Sequence, residues 1–193
     1  MNHIFKSRCY DVRELLNGVN TFREFKKRLK VQAEQNPLMI DPNVYKGDAF
    51  EALIEVLITS SETDGRIGIK NYKVSENHQY GVDGTGEYKE KKNTIPVMVQ
   101  IKYRDDGTQY LSDKDVSNFV AYSLTHNYKK DVHMVLFTSA HGIYKKTEEE
   151  MYNYMLHVFG HPEICKLVDN NTAFWDRFRY EMTQTEGEND FYS

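Results

Sequence analysis

The chain has 193 residues, of which 39% are apolar and 28% charged, enough for one globular domain with a sizeable core and some peripheral structure. A formal net charge of −4 excludes a bulk polycation, so any grip on nucleic acid has to come from a local basic patch. No apolar run reaches the length of a membrane helix, and the opening Met-Asn-His-Ile-Phe-Lys-Ser-Arg lacks the apolar centre of a signal peptide. The distant pair Cys9 and Cys165 makes no disulfide framework. These features lead us to expect a cytoplasmic protein with reduced thiols and no membrane contact.

Three zones follow along the chain: a helical basic lead-in at residues 1–40, a core domain at 41–183, and a flexible acidic tail at 184–193. In the lead-in, Thr21 caps a helix running to about Gln35, with Phe22, Phe25 and Leu29 on one face. Arg23, Lys26, Lys27, Arg28 and Lys30 make that helix basic. Such a row reads as a solvated face or, functionally, as a phosphate-contacting arm or dimer element.

From Tyr45 to about Ser60 the apolar residues Phe50, Leu53, Ile54, Leu57 and Ile58 repeat with helical spacing. Asp64-Gly65 turns the chain. Arg66 to Val74 reads as a strand and Gln79 to Asp83 as a second, with Lys89 to Asn93 as the tip of a long hairpin. Ile95 to Tyr103 is the third strand, with Pro96 near its start, where a missing donor is tolerated. Ser112 opens a helix to about residue 128, with Asp115 in a capping-box-like position and Val116, Phe119, Val120 and Ser123 as the inner stripe. Val132 to Thr138 is an almost unbroken apolar run, the mark of a buried central strand.

Thr147 with Glu150 signals another helix, carrying Met151, Tyr154, Met155, Val158 and Phe159 and ended by Gly160 and Pro162. Glu163 to Val168 reads as a last short strand and Thr172 to Met182 as a closing helix. This order predicts an α/β protein, a mixed β-sheet flanked by helices.

Within this frame Asp83, Gln100 and Lys102 meet at one end of two neighbouring strands. Ionised at neutral pH, Asp83 is expected to be able to bind Mg²⁺ or Mn²⁺, which favour oxygen ligands. Gln100 and the backbone carbonyl of Ile101 offer neutral oxygens. Lys102 leaves the strand on the same face as Gln100. Its ammonium orients or helps deprotonate an attacking water, or stabilises charge in the transition state of phosphodiester hydrolysis. The Tyr45 helix supplies a further carboxylate: Glu51 lies near the edge of the apolar stripe, with Glu55 further toward solvent as a reserve.

The segments Gly81-Val-Asp83-Gly, Val99-Gln-Ile-Lys102-Tyr and Phe50-Glu51-Ala-Leu, in this element order, resemble the PD-(D/E)xK nuclease superfamily. More narrowly, they resemble the Mrr-type restriction endonuclease catalytic domain, which has Gln-x-Lys in place of Glu-x-Lys. The resemblance spans roughly residues 45 to 182. It implies a restriction-endonuclease-like fold and metal-dependent hydrolysis of DNA. Asp83, Glu51, Gln100 and Ile101 would be at the metal and Lys102 at the water. Apart from the resemblance, DNA contacts are expected from Lys89, Lys91 and Lys92 in the long spacer, from Tyr103 and Arg104 beside the lysine, and from Lys27 and Lys30 of the basic lead-in. Domains of this type often end longer restriction or helicase proteins, so a module of such a protein and a small stand-alone nuclease are both expected readings. Double-strand cleavage by one site per chain implies a homodimer. The lead-in has no counterpart in this resemblance.

Plainer readings exist for the same residues. Asp83 before Gly84 fits a turn, and the main functional alternative is a non-catalytic DNA-binding or protein-interaction module that retains the fold. Cleavage of RNA is a third reading. His157, His161 and Cys165 are separated by the Gly160-Pro162 break, which argues against a shared zinc. No Walker loop or Gly-rich dinucleotide fingerprint is present.

Overall fold

A computed structural model describes residues 4–36, 40–61, 66–75, 79–90, 93–126, 131–146 and 155–184. The expected Asp64-Gly65 turn, Lys91, Lys92, the Thr147 to Glu150 helix start and nearly all of the expected tail lie outside the described residues.

The centre of the molecule is a five-stranded sheet of β1 (Lys70–Val74), β2 (Gly84–Glu90), β3 (Asn93–Lys102), β5 (His133–Thr138) and β7 (Leu156–Phe159), in that spatial order. β1, β2 and β3 form an antiparallel meander. β3, β5 and β7 run parallel. A small parallel ribbon of β4 (Tyr110–Leu111) and β6 (Gly142–Ile143) stands beside it. The helices are α1 (Ile4–Arg8), α2 (Val12–Leu16), α3 (Phe22–Gln35), α4 (Pro42–Ser60), α5 (Asp113–His126), α6 (His161–Val168) and α7 (Thr172–Thr183).

β3 shows how the sequence makes two layers. Successive side chains alternate faces. Val97, Val99 and Ile101 join the core made with α3, α4, α6 and α7, whereas Met98 packs with Phe119, Val120, Met134 and Leu136 beneath α5. β5 is buried along its whole length, as a central strand covered on both sides requires.

α4 starts where Asp41 accepts from the Asn43 and Val44 amides and Pro42 takes the first turn. It packs against α1, α3, α7, β1 and β3, so it is buried nearly all round rather than along one stripe. Thr21 caps α3 by accepting from the Glu24 amide. Phe22, Phe25 and Leu29 are fully buried, and with Phe5, Leu15 and Leu16 they extend the main core.

The structure corrects several local expectations. Gln79 to Asp83 is not a strand. Residues Gln79–Gly81 form a 3-10 turn in which Tyr80 and Gly81 have φ of 57° and 80°. That turn lets the Asp83 amide reach the Val99 carbonyl at 2.9 Å, after which β2 begins. The long spacer between Asp83 and Gln100 is therefore the β2–β3 hairpin, with Gly84 opposite Val99 and Glu90 opposite Asn93.

Leu156 to Phe159 is strand rather than helix, because short apolar runs satisfy both periods. Glu163 to Val168 is helical rather than extended. Gly160 and Pro162 start α6 instead of ending a helix, with Glu163 Oε2 accepting from the Gly160 amide at 3.2 Å. Only Lys70–Val74 of the expected first strand is extended and paired. Among the described residues no helix is long and apolar enough to cross a membrane.

Candidate active site

The β2–β3 hairpin and the turn before it bring Asp83 to the end of β3. Asp83 Oδ2 accepts a hydrogen bond of 2.6 Å from the Ile101 amide, the residue between Gln100 and Lys102. This side-chain bond occupies an amide at the end of the β2–β3 ladder. It also sets the carboxylate beside the Gln-x-Lys triplet.

Gln100 and Lys102 leave β3 on the α5 side. Gln100 is 8% exposed and its Oε1 is shut off from solvent without a protein partner. Its amide lies against Gly81 and near Phe119, and a Cβ on Gly81 would stand 2.5 Å from Gln100 Nε2.

Lys102 Nζ donates to the Asp115 carbonyl at 2.8 Å and stands 3.3 Å from Asp115 Oδ1. Asp115 is the residue that sequence reasoning missed at this site, because Ser112 and Asp115 read as a helix cap alone. It does cap α5, accepting from the Ser112 amide and hydroxyl at 2.9 Å, and it also accepts from Arg104 Nη2 at 2.7 Å. Partial burial works against its charge. The Ser112 donors and the Lys102 ammonium overcome that and hold the carboxyl down at about 2. One carboxylate thus ties together the end of β3, the loop after it and the start of α5.

Glu51 and Glu55 belong to α4, on the opposite side of the sheet from Gln100 and Lys102. Both are half-buried, so Glu55 is less exposed than its helical position suggested, and Glu55 Oε2 is shut off from solvent. Tyr72 on β1 reports what these carboxylates share. Burial, then the charges of Glu55, Asp83 and Glu51, push its hydroxyl well above the ordinary range, which keeps it protonated. Gly84 provides the space its ring occupies. Asp83 is thus the group that borders both sides, next to β3 and within the field of the α4 carboxylates. Among the described residues no group of three or more His, Cys, Asp or Glu side chains is placed to hold a metal ion. The oxygen donors near β3 are the Asp83 carboxylate and Gln100 Oε1.

The basic candidates are dispersed. Lys27 and Lys30 are exposed on α3, and Lys89 is exposed near the hairpin tip. Arg104 is half-buried and engaged with Asp115. Tyr103 is half-buried beneath Lys26 and Lys46, whose ammonium groups lie 5.3 and 5.8 Å from its ring centroid. Lys26 turns inward from its basic helix, only 9% exposed, and donates to the Arg104 and Ser139 carbonyls. Lys46 is bonded to Asp105 at 2.6 Å. This lysine pair fastens the loop after β3 to α3 and α4.

Comparison with models of known families and with curated protein sequences gives no match. Two solved structures are similar to this chain in their three-dimensional arrangement, to different degrees. The DNA modification-dependent restriction endonuclease AspBHI superposes with a TM-score of 0.55 at 13% identity, over 90% of this chain and 42% of that one. The MspJI restriction endonuclease, solved in complex with a 27-mer oligonucleotide, gives 0.47 at 14% identity, over 92% and 39%. The chain therefore spans about two fifths of the length of these endonucleases. The likeness to AspBHI establishes the fold: a restriction-endonuclease-like mixed sheet flanked by helices.

Proposed function

We propose that the chain is a metal-dependent nuclease acting on DNA, a PD-(D/E)xK domain of Mrr type with Gln100 in place of the usual glutamate. The observation that carries this is the Asp83 carboxylate anchored on the Ile101 amide, between Gln100 and Lys102. The restriction-endonuclease-like fold supports it.

The residues fit a Mg²⁺ or Mn²⁺ ion. Gln100 Oε1 is a buried oxygen with no protein partner, and hard cations take oxygen donors while retaining several waters. Asp83, Gln100 and the Ile101 carbonyl would hold it, with Glu51, on the α4 side of the sheet, as the further carboxylate that the resemblance implies. When bound, such an ion supplies Lewis-acid polarisation of the phosphate and a more acidic water. Lys102 stabilises the charge that builds on the phosphate oxygens or handles the proton of the attacking water at Nζ. Asp115 holds that ammonium at the end of β3, and Tyr72, kept protonated, stands in the field of the carboxylates.

The test is cleavage of supercoiled DNA with Mg²⁺ or Mn²⁺ against chelator, for wild type, Asp83→Asn, Glu51→Gln and Lys102→Ala. Metal-dependent nicking by wild type, and its loss in Asp83→Asn and Lys102→Ala, is expected. Equal nicking by wild type and Lys102→Ala would overturn the catalytic assignment. DNA retardation in a gel without cleavage by any form would make the chain a binding module instead.

A further inference from the structure

A concave site on the β4–β6 ribbon is not used by the chemistry above. Tyr110, His141, Lys145, Pro162 and Glu163 are among the residues lining a cavity of about 410 Å³, within the range of small-ligand sites. The tyrosines at its wall (Tyr110) and beside it (Tyr144) face outward. Tyr110 is 45% and Tyr144 is 55% exposed. The Tyr110 ring stacks on Tyr144 at 5.6 Å and 22°, and the His141 ring meets Tyr110 at 4.7 Å. Large aromatic side chains left in water, and already ordered against one another, offer flat apolar faces at little further entropic cost.

Its position gives the faces a meaning. The ribbon is built on the two segments that hold the Lys102 end of β3. β4 runs into Ser112, whose amide and hydroxyl bind the Asp115 carboxylate that pairs with Lys102. β6 follows Ser139, whose amide donates to the Lys102 carbonyl at 3.2 Å, and the His141 amide donates to the Gln109 carbonyl at 2.7 Å. The cavity therefore opens beside the carboxyl ends of parallel strands β3, β5 and β7, where α/β sheets take ligands.

We propose that this cavity accepts a single unstacked nucleobase of the DNA whose phosphate engages Lys102. The base lies on the exposed Tyr110 ring, which Tyr144 backs, and the Glu163 carboxylate in the cavity wall offers an acceptor to its polar edge. Every base has a π-face, so aromatic stacking tolerates sequence and distinguishes unpaired from paired DNA. The inference rests on the nuclease reading for the phosphate and adds the state of the DNA it selects.

The test measures equilibrium binding in chelator, so that cleavage plays no part. The probes are a short duplex with one unpaired nucleotide and the same duplex fully paired. Wild type is expected to bind the unpaired form about tenfold more tightly, the scale of one base stacked on an aromatic ring. Tyr110→Ala should abolish the difference, Tyr144→Ala, which removes the ring that backs Tyr110, should reduce it, and both should leave affinity for the paired duplex unchanged. Tyr110→Phe should retain it, and circular dichroism checks that each variant is folded. Equal affinity of wild type for both probes overturns the proposal, and so does a preference that survives Tyr110→Ala. Binding of a free nucleoside monophosphate to the cavity without any such preference reassigns it to a small molecule and also overturns the proposal. Loss of DNA binding altogether sinks this inference together with the nuclease reading. An intact preference in a protein that does not cleave sinks only the catalytic reading.

Discussion

Gly81→Ala, compared with Gly18→Ala, isolates the contact that seats Gln100. Both glycines have positive φ, 80° and 71°, where an L side chain strains the backbone by about 1 to 2 kcal/mol. They differ in what a Cβ would meet. At Gly18 nothing lies within 4 Å, whereas at Gly81 the new carbon would stand 2.5 Å from Gln100 Nε2. The Gln100 amide is the far end of a side chain, so it moves rather than the backbone, at about 0.5 to 1.5 kcal/mol for an off-rotamer shift. Gly18→Ala should therefore cost about 1 to 2 kcal/mol and Gly81→Ala about 1.5 to 3.5 kcal/mol. For a chain of this size that amounts to a fall in Tm of roughly 3 to 6 °C for the first and 5 to 10 °C for the second. Thermal and urea unfolding measure the stabilities, and DNA nicking measures the site. Only Gly81→Ala should lose nicking, because only it displaces a proposed ligand. A Gly81→Ala protein as stable as Gly18→Ala and fully active would refute the seating of Gln100 by this turn.

Two further predictions concern buried polar groups. The Tyr45 hydroxyl donates to the buried Gln32 Oε1 at 3.0 Å and accepts from the Tyr10 amide at 3.3 Å. Tyr45→Phe removes both bonds and should cost about 1 to 3 kcal/mol, read as a lower urea midpoint with unchanged slope; an unchanged midpoint would contradict this network. Lys26 is pulled down from 10.5 to about 8, chiefly by burial. A depressed folded-state pKa makes the unfolded chain bind more protons between those values, so Lys26 begins to cost stability as pH falls below 10.5 and costs it in full below about 8. Wild type should therefore gain stability relative to Lys26→Met as pH rises from 7 toward 10, with the tyrosine and cysteine titrations common to both proteins. A difference independent of pH would show that the ammonium is not desolvated as described.

Much of the site was legible because it rests on period-2 alternation and on residue chemistry. Gln100 and Lys102 had to share a face of β3, and the apolar run at Val132 to Thr138 could only be a covered strand. What escaped was geometry that is set by backbone exceptions and long-range partners. Tyr80 adopts φ of 57°, which no local propensity favours, and that turn moved Asp83 from the end of one strand to the start of the next. Gly160 and Pro162 are compatible with either end of a helix, and the bond from the Gly160 amide to Glu163 decided for the start. Asp115 looked complete as a cap for Ser112, so its second role toward Lys102 and Arg104 had no sequence signal. Lys26 was one of five basic residues on its helix, and burial under the loop after β3 depends on Arg104 and Ser139, which lie far away in sequence.

The site's precision follows from a division of labour within one strand. Val97, Val99 and Ile101 anchor β3 in the main core, while Gln100 and Lys102 alternate with them toward α5. A slip of one residue would exchange the two sets. Such a slip would have to break the antiparallel register with β2, from Gly84 opposite Val99 to Glu90 opposite Asn93, and the parallel register with β5, from Val97 opposite His133 to Lys102 opposite Thr138. Asp83 is locked to the same strand by its own amide on Val99 and its carboxylate on Ile101. Its position relative to Gln100 and Lys102 is therefore as stable as the pairing of the central sheet. Glu51 and Glu55 are placed by the packing of α4 on the other face, so substitutions that loosen α4 should disturb those carboxylates before they disturb the Asp83, Gln100 and Lys102 set.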